Sequence, residues 1–124
     1  MKLMDDEVRG LLRDHPMGSS DMSIKLEDWI PIVKYFDPCG RYTLFVFEGA
    51  PVDEDSDWEL FGYCLSPLGE DCDELGYASL NEIQATKNRL GLGMERDLYF
   101  TPKPMKELLP GKFGKKEERR DSID

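Results

Sequence analysis

The stretch RYTLFVFE, residues Arg41–Glu48, is the segment that most directly decides the fold. In an extended chain, alternation places Leu44 and Val46 on one side and Phe45 and Phe47 on the other. Large apolar residues on both sides are typical of a central strand that is covered on both faces. We therefore predict a sheet built around this segment.

The neighbouring segments predict further strands that follow one another in a run. WIPIVKYF, Trp29–Phe36, is β-branched and aromatic, and Pro31 confines it to a sheet edge or delays its start. Trp58–Cys64 is predicted to return alongside the central strand, after a connection over Gly49–Asp57. LGYAS and then Met94–Phe100 complete the predicted strands.

Two helices are predicted at the flanks of these strands. MDDEVRGLLRD forms a narrow apolar stripe near the N-terminus. The second helix begins at the capping box SLNE, in which Ser79 is the N-cap and Glu82 follows three residues later, and it is expected to continue through Leu90 until Gly91 stops it. We expect an α+β fold, an antiparallel sheet of about four to five strands with flanking helices packed on one face.

Length and composition limit the domain organisation. A chain of 124 residues is most simply one domain, and we predict a single α+β domain over residues 1–102. From residue 103 the apolar content falls and basic residues outnumber acidic ones. Residues 103–124 are therefore predicted to form a basic, flexible tail.

The cysteines and the N-terminal sequence indicate the cellular compartment in which the protein is expected. Cys39, Cys64 and Cys72 are an odd number of thiols, and no apolar run resembles a signal peptide. We expect free thiols and a cytoplasmic protein. No stretch approaches the ~20 apolar residues of a membrane span, so no membrane association is predicted.

Charge is the most unusual property of the sequence. The net charge is −10, and no lysine or arginine occurs between Tyr42 and Thr86. Such a surface repels phosphates, which argues against direct nucleic-acid binding by the body of the protein. A basic protein surface is the partner that this charge favours.

The sequence gives little support for a metal site or a catalytic site. The acids from Asp53 onward place oxygens as a calcium loop would, but Trp58 and Cys64 stand where that loop requires glycine and glutamate. The cysteine spacing does not fit structural zinc, and His15 is the only histidine. We predict no metal, no cofactor and no catalytic residues.

Two acidic connections are the main candidate site. We expect their carboxylates to gather on one outward-facing patch that binds a basic protein surface, for example that of a nucleic-acid enzyme. Mimicry of DNA phosphate charge is one form that such a non-enzymatic interaction module can take. The predicted partner-binding residues are Asp53, Glu54, Asp55, Asp57, Glu70, Asp71, Asp73 and Glu74.

Arg96 supports an alternative function. It lies on an otherwise apolar side of the last predicted strand, and a buried arginine is costly unless it is paired. It is expected either to form a structural ion pair with Glu74, Glu82 or another carboxylate, or to anchor a small anionic ligand beside Tyr77. Without such a ligand, Tyr77 is expected in the core.

Four blocks together resemble a known family: Pro31–Phe36, Phe61–Cys64, Glu74–Ile83 and Gly91–Phe100. Their order and spacing are similar to those of small acidic proteins carried by bacterial plasmids and integrating elements, the domain-of-unknown-function family twenty-nine fifty-eight. The resemblance covers Trp29–Pro102. It implies a mobile-element setting but no activity and no catalytic residues, and it does not account for the basic tail.

Overall fold

The fold is an antiparallel sheet with short helices, seen in a computed structural model that describes residues 2–54 and 56–113. The helices are α1 (Asp6–Asp14), α2 (Leu80–Ala85), α3 (Met105–Leu108) and α4 (Pro110–Phe113). The strands are β1 (Val33–Phe36), β2 (Thr43–Val52), β3 (Asp57–Leu65), β4 (Glu74–Ser79) and β5 (Glu95–Arg96). Two 3-10 turns lie at Leu26–Asp28 and Glu70–Cys72.

The five strands form one sheet in the order β4-β3-β2-β1-β5, and every pair is antiparallel. The predicted α+β class and antiparallel sheet are therefore confirmed. The β2–β3 hairpin is longer than predicted, since it pairs as far as Val52 with Asp57 and leaves only residues 53–56 as its connection. A register shift between Val46 and Glu48 marks a bulge in β2.

Strand β2 is buried on both faces, as its apolar alternation predicts. Leu44 and Val46 belong to a core that α1 and α2 cover, whereas Phe45 and Phe47 belong to a second core beneath α3 and α4. The expectation that the helices pack on one face is wrong. A strand that is apolar on both sides needs a cover on each, and the C-terminal helices supply the second one.

The α1 side of the sheet holds the larger core. Tyr35 is completely buried there, and its hydroxyl donates a hydrogen bond to the Leu3 carbonyl at 2.7 Å. Burial raises the pKa of Tyr35 above its ordinary value. This bond fixes the N-terminal segment to β1, next to the apolar side chains of α1.

The second core depends on residues after Pro102. Met105 is completely buried, and its backbone N–H donates to the Trp29 carbonyl at 2.9 Å. The Phe113 ring packs against Tyr63 with centroids 5.6 Å apart. The domain therefore does not end at Pro102 as predicted, because residues 105–113 form part of its core. The remainder of the predicted tail, residues 114–124, lies outside the described residues.

Gly62 and Gly76 face each other across β3 and β4, yet they differ in the space around them. A Cβ on Gly62 would lie 2.2 Å from the Phe45 carbonyl oxygen, whereas a Cβ on Gly76 would meet nothing within 4 Å. The close approach of backbone to backbone at Gly62 therefore excludes any side chain.

We expect Gly62→Ala to lower the free energy of unfolding by about 3 kcal/mol, because the two central strands must separate locally. Gly76→Ala is the matched control and should change it by no more than about 0.5 kcal/mol. Urea denaturation of both variants measures the difference. Equal effects would show that the contact at Gly62 does not restrict the sheet.

Candidate functional site

The two acidic connections lie at opposite ends of strand β3. Residues 53–56 precede this strand and residues 66–73 follow it. A strand of nine residues separates its ends by about 26 Å. The prediction of a single patch made from both connections is therefore wrong. Antiparallel pairing forces consecutive connections to opposite ends of the strand that joins them.

Asp73, one of the predicted partner-binding residues, is a buried clamp. Its side chain is fully shielded from solvent and accepts hydrogen bonds from both terminal nitrogens of Arg41 and from Lys112 Nζ, each at 2.6 Å. The Ser66 backbone N–H donates to it at 2.7 Å. The carboxylate thus ties the β1–β2 turn and the β3–β4 connection to α4, and it is unavailable to a partner.

Hydrogen bonds from Arg41 are the main reason that the pKa of Asp73 lies well below its ordinary value, and Lys112 adds to the effect. A carboxyl group whose pKa is lower in the folded than in the unfolded state stabilises the fold above about pH 4. This contribution is lost as the pH falls toward the pKa of the folded state.

We expect Asp73→Asn to cost roughly 2–3 kcal/mol of unfolding free energy at pH 7, because two cations lose their charged partner. The difference between the variant and the wild type should shrink between pH 5 and about pH 2. Chemical denaturation across this range measures it. Asp71→Asn, an exposed neighbour, is the control, and an equal loss in both variants would contradict the clamp.

The other carboxylates beside Asp73 are accessible. Glu70 and Asp71 lie in the 3-10 turn, Glu74 begins β4, and all three are exposed. They form a separate acidic region at the β3–β4 connection, far from the hairpin. Arg41 lies close enough to Glu70 for the two charges to interact.

At the hairpin end, Asp57 has a structural role. It accepts hydrogen bonds from the Ser79 hydroxyl at 2.6 Å and the Asn81 backbone N–H at 2.9 Å. Chiefly because of the Ser79 bond, the pKa of Asp57 is lowered. Ser79 caps α2 by accepting a hydrogen bond from the Glu82 N–H, which confirms it as the predicted N-cap, but the helix ends at Ala85 and does not continue to Leu90. Asp57 therefore fixes the start of α2 on the hairpin.

The hairpin tip carries the remaining predicted acids. Asp53 and Glu54 are exposed and adopt left-handed backbone conformations with φ of 45° and 57°. Left-handed residues other than glycine are uncommon, although aspartate tolerates this region better than most. Asp55 lies outside the described residues.

A groove runs beside the tip, between the hairpin and the free edge of β4. Its floor and walls include a half-exposed hydrophobic residue, a tyrosine and three acids; we call it the β4-edge groove, formed by Val52, Asp57, Glu59, Tyr77, Ala78, Ser79 and Glu82. Glu59 and Glu82 are exposed. The sequence reasoning did not select either acid as a binding residue, although strand alternation places Glu59 outward.

Tyr77 is the exposed aromatic residue of this groove. It is 66% exposed, so the expectation of a core position is wrong. Strand β4 is the outermost strand on its side of the sheet, and the Phe61 ring packs against this tyrosine with centroids 5.0 Å apart. Phe61 in turn contacts Trp29 at 6.2 Å, and Trp29 packs on Phe47 at 5.0 Å. An aromatic row thus leads from the open edge into the core.

Arg96 lies at the other edge of the sheet, on β5, about 19 Å from the strand of Tyr77. A ligand site that combines Arg96 with Tyr77 is therefore excluded. The Arg96 guanidinium contacts Asp5 at 2.9 Å and also Glu7, and its side chain is only 9% exposed. The ion pair was predicted, but its partners are the N-cap Asp5 and Glu7 of α1 rather than Glu74 or Glu82.

A further carboxylate that the sequence reasoning did not select holds a long loop. Glu48 is buried and accepts hydrogen bonds from the backbone N–H groups of Gly18 and Ser20 at 2.7 and 2.9 Å. Burial alone would raise its pKa, but the hydrogen bonds from Ser20 and Gly18 lower the pKa below its ordinary value. Glu48 thereby fixes the loop that carries Trp29 over the second core.

The thiols and the histidine form no cluster with one another. Cys39 and Cys72 are exposed, and burial, with help from Asp73, raises the pKa of the half-buried Cys64 thiol. His15 Nδ1 lies 3.0 Å from the Leu11 carbonyl oxygen. Over residues 2–54 and 56–113, no group of three acids, histidines or cysteines has a metal-binding arrangement. No helix in this part of the chain is long and apolar enough to span a bilayer.

The sequence profile of one family matches residues 3–108, and that family is described as a protein of unknown function, DUF2958. No curated protein and no solved structure matches the chain. The match extends well beyond the blocks that first suggested the resemblance, and it includes α1 and α3 on the two faces of the sheet. The chain therefore belongs to the DUF2958 family.

Proposed function

We propose that this protein is a non-enzymatic interaction module that binds a basic, extended segment of another protein in the β4-edge groove. The observation that carries this proposal is the combination, in one place, of an exposed tyrosine, two exposed carboxylates and a strand edge that pairs with no other strand among the described residues. The partner's chain would lie along β4, with its cations facing Glu59 and Glu82.

The charge of the groove supports a basic partner. Glu59 and Glu82 contribute negative charge, Asp57 adds a third carboxylate, and among residues 2–54 and 56–113 no lysine or arginine lines the groove. The tip residues Asp53 and Glu54 extend the same sign of charge along the hairpin. Such a field accelerates the encounter with a cationic segment and weakens as salt is added.

The free edge of β4 supports an extended partner. An edge strand presents backbone N–H and C=O groups that can pair with another chain, and proteins usually protect such edges. Strand addition to an exposed edge is a recurrent mode of peptide recognition. Tyr77 adds the kind of large aromatic contact that dominates binding energy in interfaces, and its ring is already held against Phe61.

The resemblance to proteins of mobile genetic elements suggests the class of partner. Resemblance to proteins of plasmids and integrating elements, together with the acidic groove, favours a cytoplasmic nucleic-acid enzyme with a basic surface segment, encoded by the host or by the element. Mimicry of DNA by both acidic connections does not enter this proposal, because they lie at opposite ends of β3.

Tyr77→Ala tests the aromatic contact. We expect it to weaken binding of a synthetic peptide, in which arginine alternates with valine, by about tenfold or more, since a central aromatic contact is lost. Fluorescence anisotropy of the labelled peptide measures the affinity. The control is Tyr99→Ala, which removes a tyrosine that is 93% exposed and follows β5 at the other edge. Equal affinities for both variants would refute the docking site.

Charge reversal distinguishes specific binding in the β4-edge groove from attraction by the overall negative charge of the protein. The double variant Glu59→Lys/Glu82→Lys should abolish binding of the same peptide, because two attractive contacts become repulsive. The double variant Glu70→Lys/Asp71→Lys makes the same change in net charge at the opposite end of β3 and should retain most of the affinity. Titrations at low and high salt measure both. If the two variants lose affinity equally, only the overall field attracts the peptide.

A further inference from the structure

A cleft at the other end of the sheet has a different character from the β4-edge groove. It has a volume of about 610 Å³ and lies between the β1–β2 turn, residues 37–42, and the loop after α2, residues 86–90, with Pro67 on a third side. Sites for small ligands usually have volumes in this range.

The charge of this cleft is opposite to that of the rest of the protein. Arg41, Lys87 and Arg89 line it together with one acid, Asp37, although the chain has a net charge of −10. Arg41 is engaged by the buried Asp73. Neither Lys87 nor Arg89 forms an ion pair with any residue in the part of the chain that the structure describes, so both are available to an anion.

The loop that carries these two cations is fixed before any ligand arrives. The Asn88 side-chain oxygen accepts hydrogen bonds from the backbone N–H groups of Leu90 and Leu92 at 2.9 and 3.0 Å. Its side-chain amide donates to Asp37 at 2.9 Å, which attaches the loop to the β1–β2 turn. Gly91 completes the turn with a φ of 77°. A site ordered in advance loses less entropy on binding.

Asp37, the one acid among the described residues that line the cleft, offsets only one of the two positive charges of Lys87 and Arg89. One oxygen of Asp37 accepts hydrogen bonds from Asn88 and from the Cys39 backbone N–H, at 2.9 Å each. These bonds lower the pKa of Asp37. The carboxylate therefore joins the two loops, and the lining of the cleft still carries more positive than negative side chains.

We infer that this cleft binds a small phosphorylated molecule of about nucleotide size, with Lys87 and Arg89 contacting the phosphate groups. Phosphate oxygens accept hydrogen bonds both from the planar, forked guanidinium of arginine and from the compact ammonium of lysine. Tyr42, half-buried on the wall of the cleft, provides an aromatic surface for the remainder of the molecule. A polynucleotide is disfavoured, because its many phosphates would meet the acidic surface around the cleft.

Calorimetric titration of the full chain with inorganic pyrophosphate and with ADP tests this site. We expect binding of at least one of them, and a loss of affinity of about tenfold or more in Lys87→Ala/Arg89→Ala. The control Lys25→Ala/Lys103→Ala removes the same charge from two exposed positions outside the cleft and should bind like the wild type. Loss of affinity in both variants, or the absence of binding to either probe, would overturn the inference.

Cysteine labelling gives a readout on the unmutated protein, which does not depend on the folding of a variant. Cys39 lines the cleft, whereas Cys72 is exposed outside it. Saturating pyrophosphate or ADP should slow alkylation of Cys39 by iodoacetamide and leave the rate at Cys72 unchanged, as followed by mass spectrometry. Equal rates with and without the probes would place any binding elsewhere. Tighter binding of a short single-stranded oligonucleotide than of ADP would refute the small-molecule assignment.

Discussion

The burial of strand β2 on both faces is the constraint on which the rest of the structure depends. Leu44 and Val46 require a cover on one face, and Phe45 and Phe47 require another. The first cover comes from α1 and α2, and the second comes from the loop at Trp29 and from the short C-terminal helices. Strand β4 is an outer strand of the sheet, and its residue Tyr77 stays 66% exposed. The β4-edge groove lies at this edge, bordered by Glu82 of α2.

Much of the sheet could be predicted from the sequence, because alternation and β-branched residues indicate the strands themselves; the position of β5 beside β1 was not predicted. The C-terminal helices were missed because they have only four residues each, and such short segments show no periodic pattern. The carboxylates that pair with Arg96 lie about ninety positions earlier in the chain, and no local signal identifies such a partner. The opposite placement of the two acidic connections, however, follows from antiparallel pairing alone and could have been predicted.

The acids of this protein have several different roles, which a net charge conceals. Asp73 bridges the cations of Arg41 and Lys112, Asp57 holds the start of α2, and Glu48 binds a loop through backbone N–H groups. A carboxylate can contact a partner only if it is exposed and not already engaged by another of the described residues, as is the case for Glu59 and Glu82. Burial and hydrogen bonding therefore decide which charges form a recognition surface, and neither property can be read from the spacing of acids in the sequence.

The position of Met105 has a consequence for synthesis on the ribosome. All five strands leave the exit tunnel before the helices that cover Phe45 and Phe47. Until those later residues emerge, a nascent sheet would expose an aromatic face with which chaperones or neighbouring chains can associate. The second core can therefore be completed only after the C-terminal residues have left the ribosome.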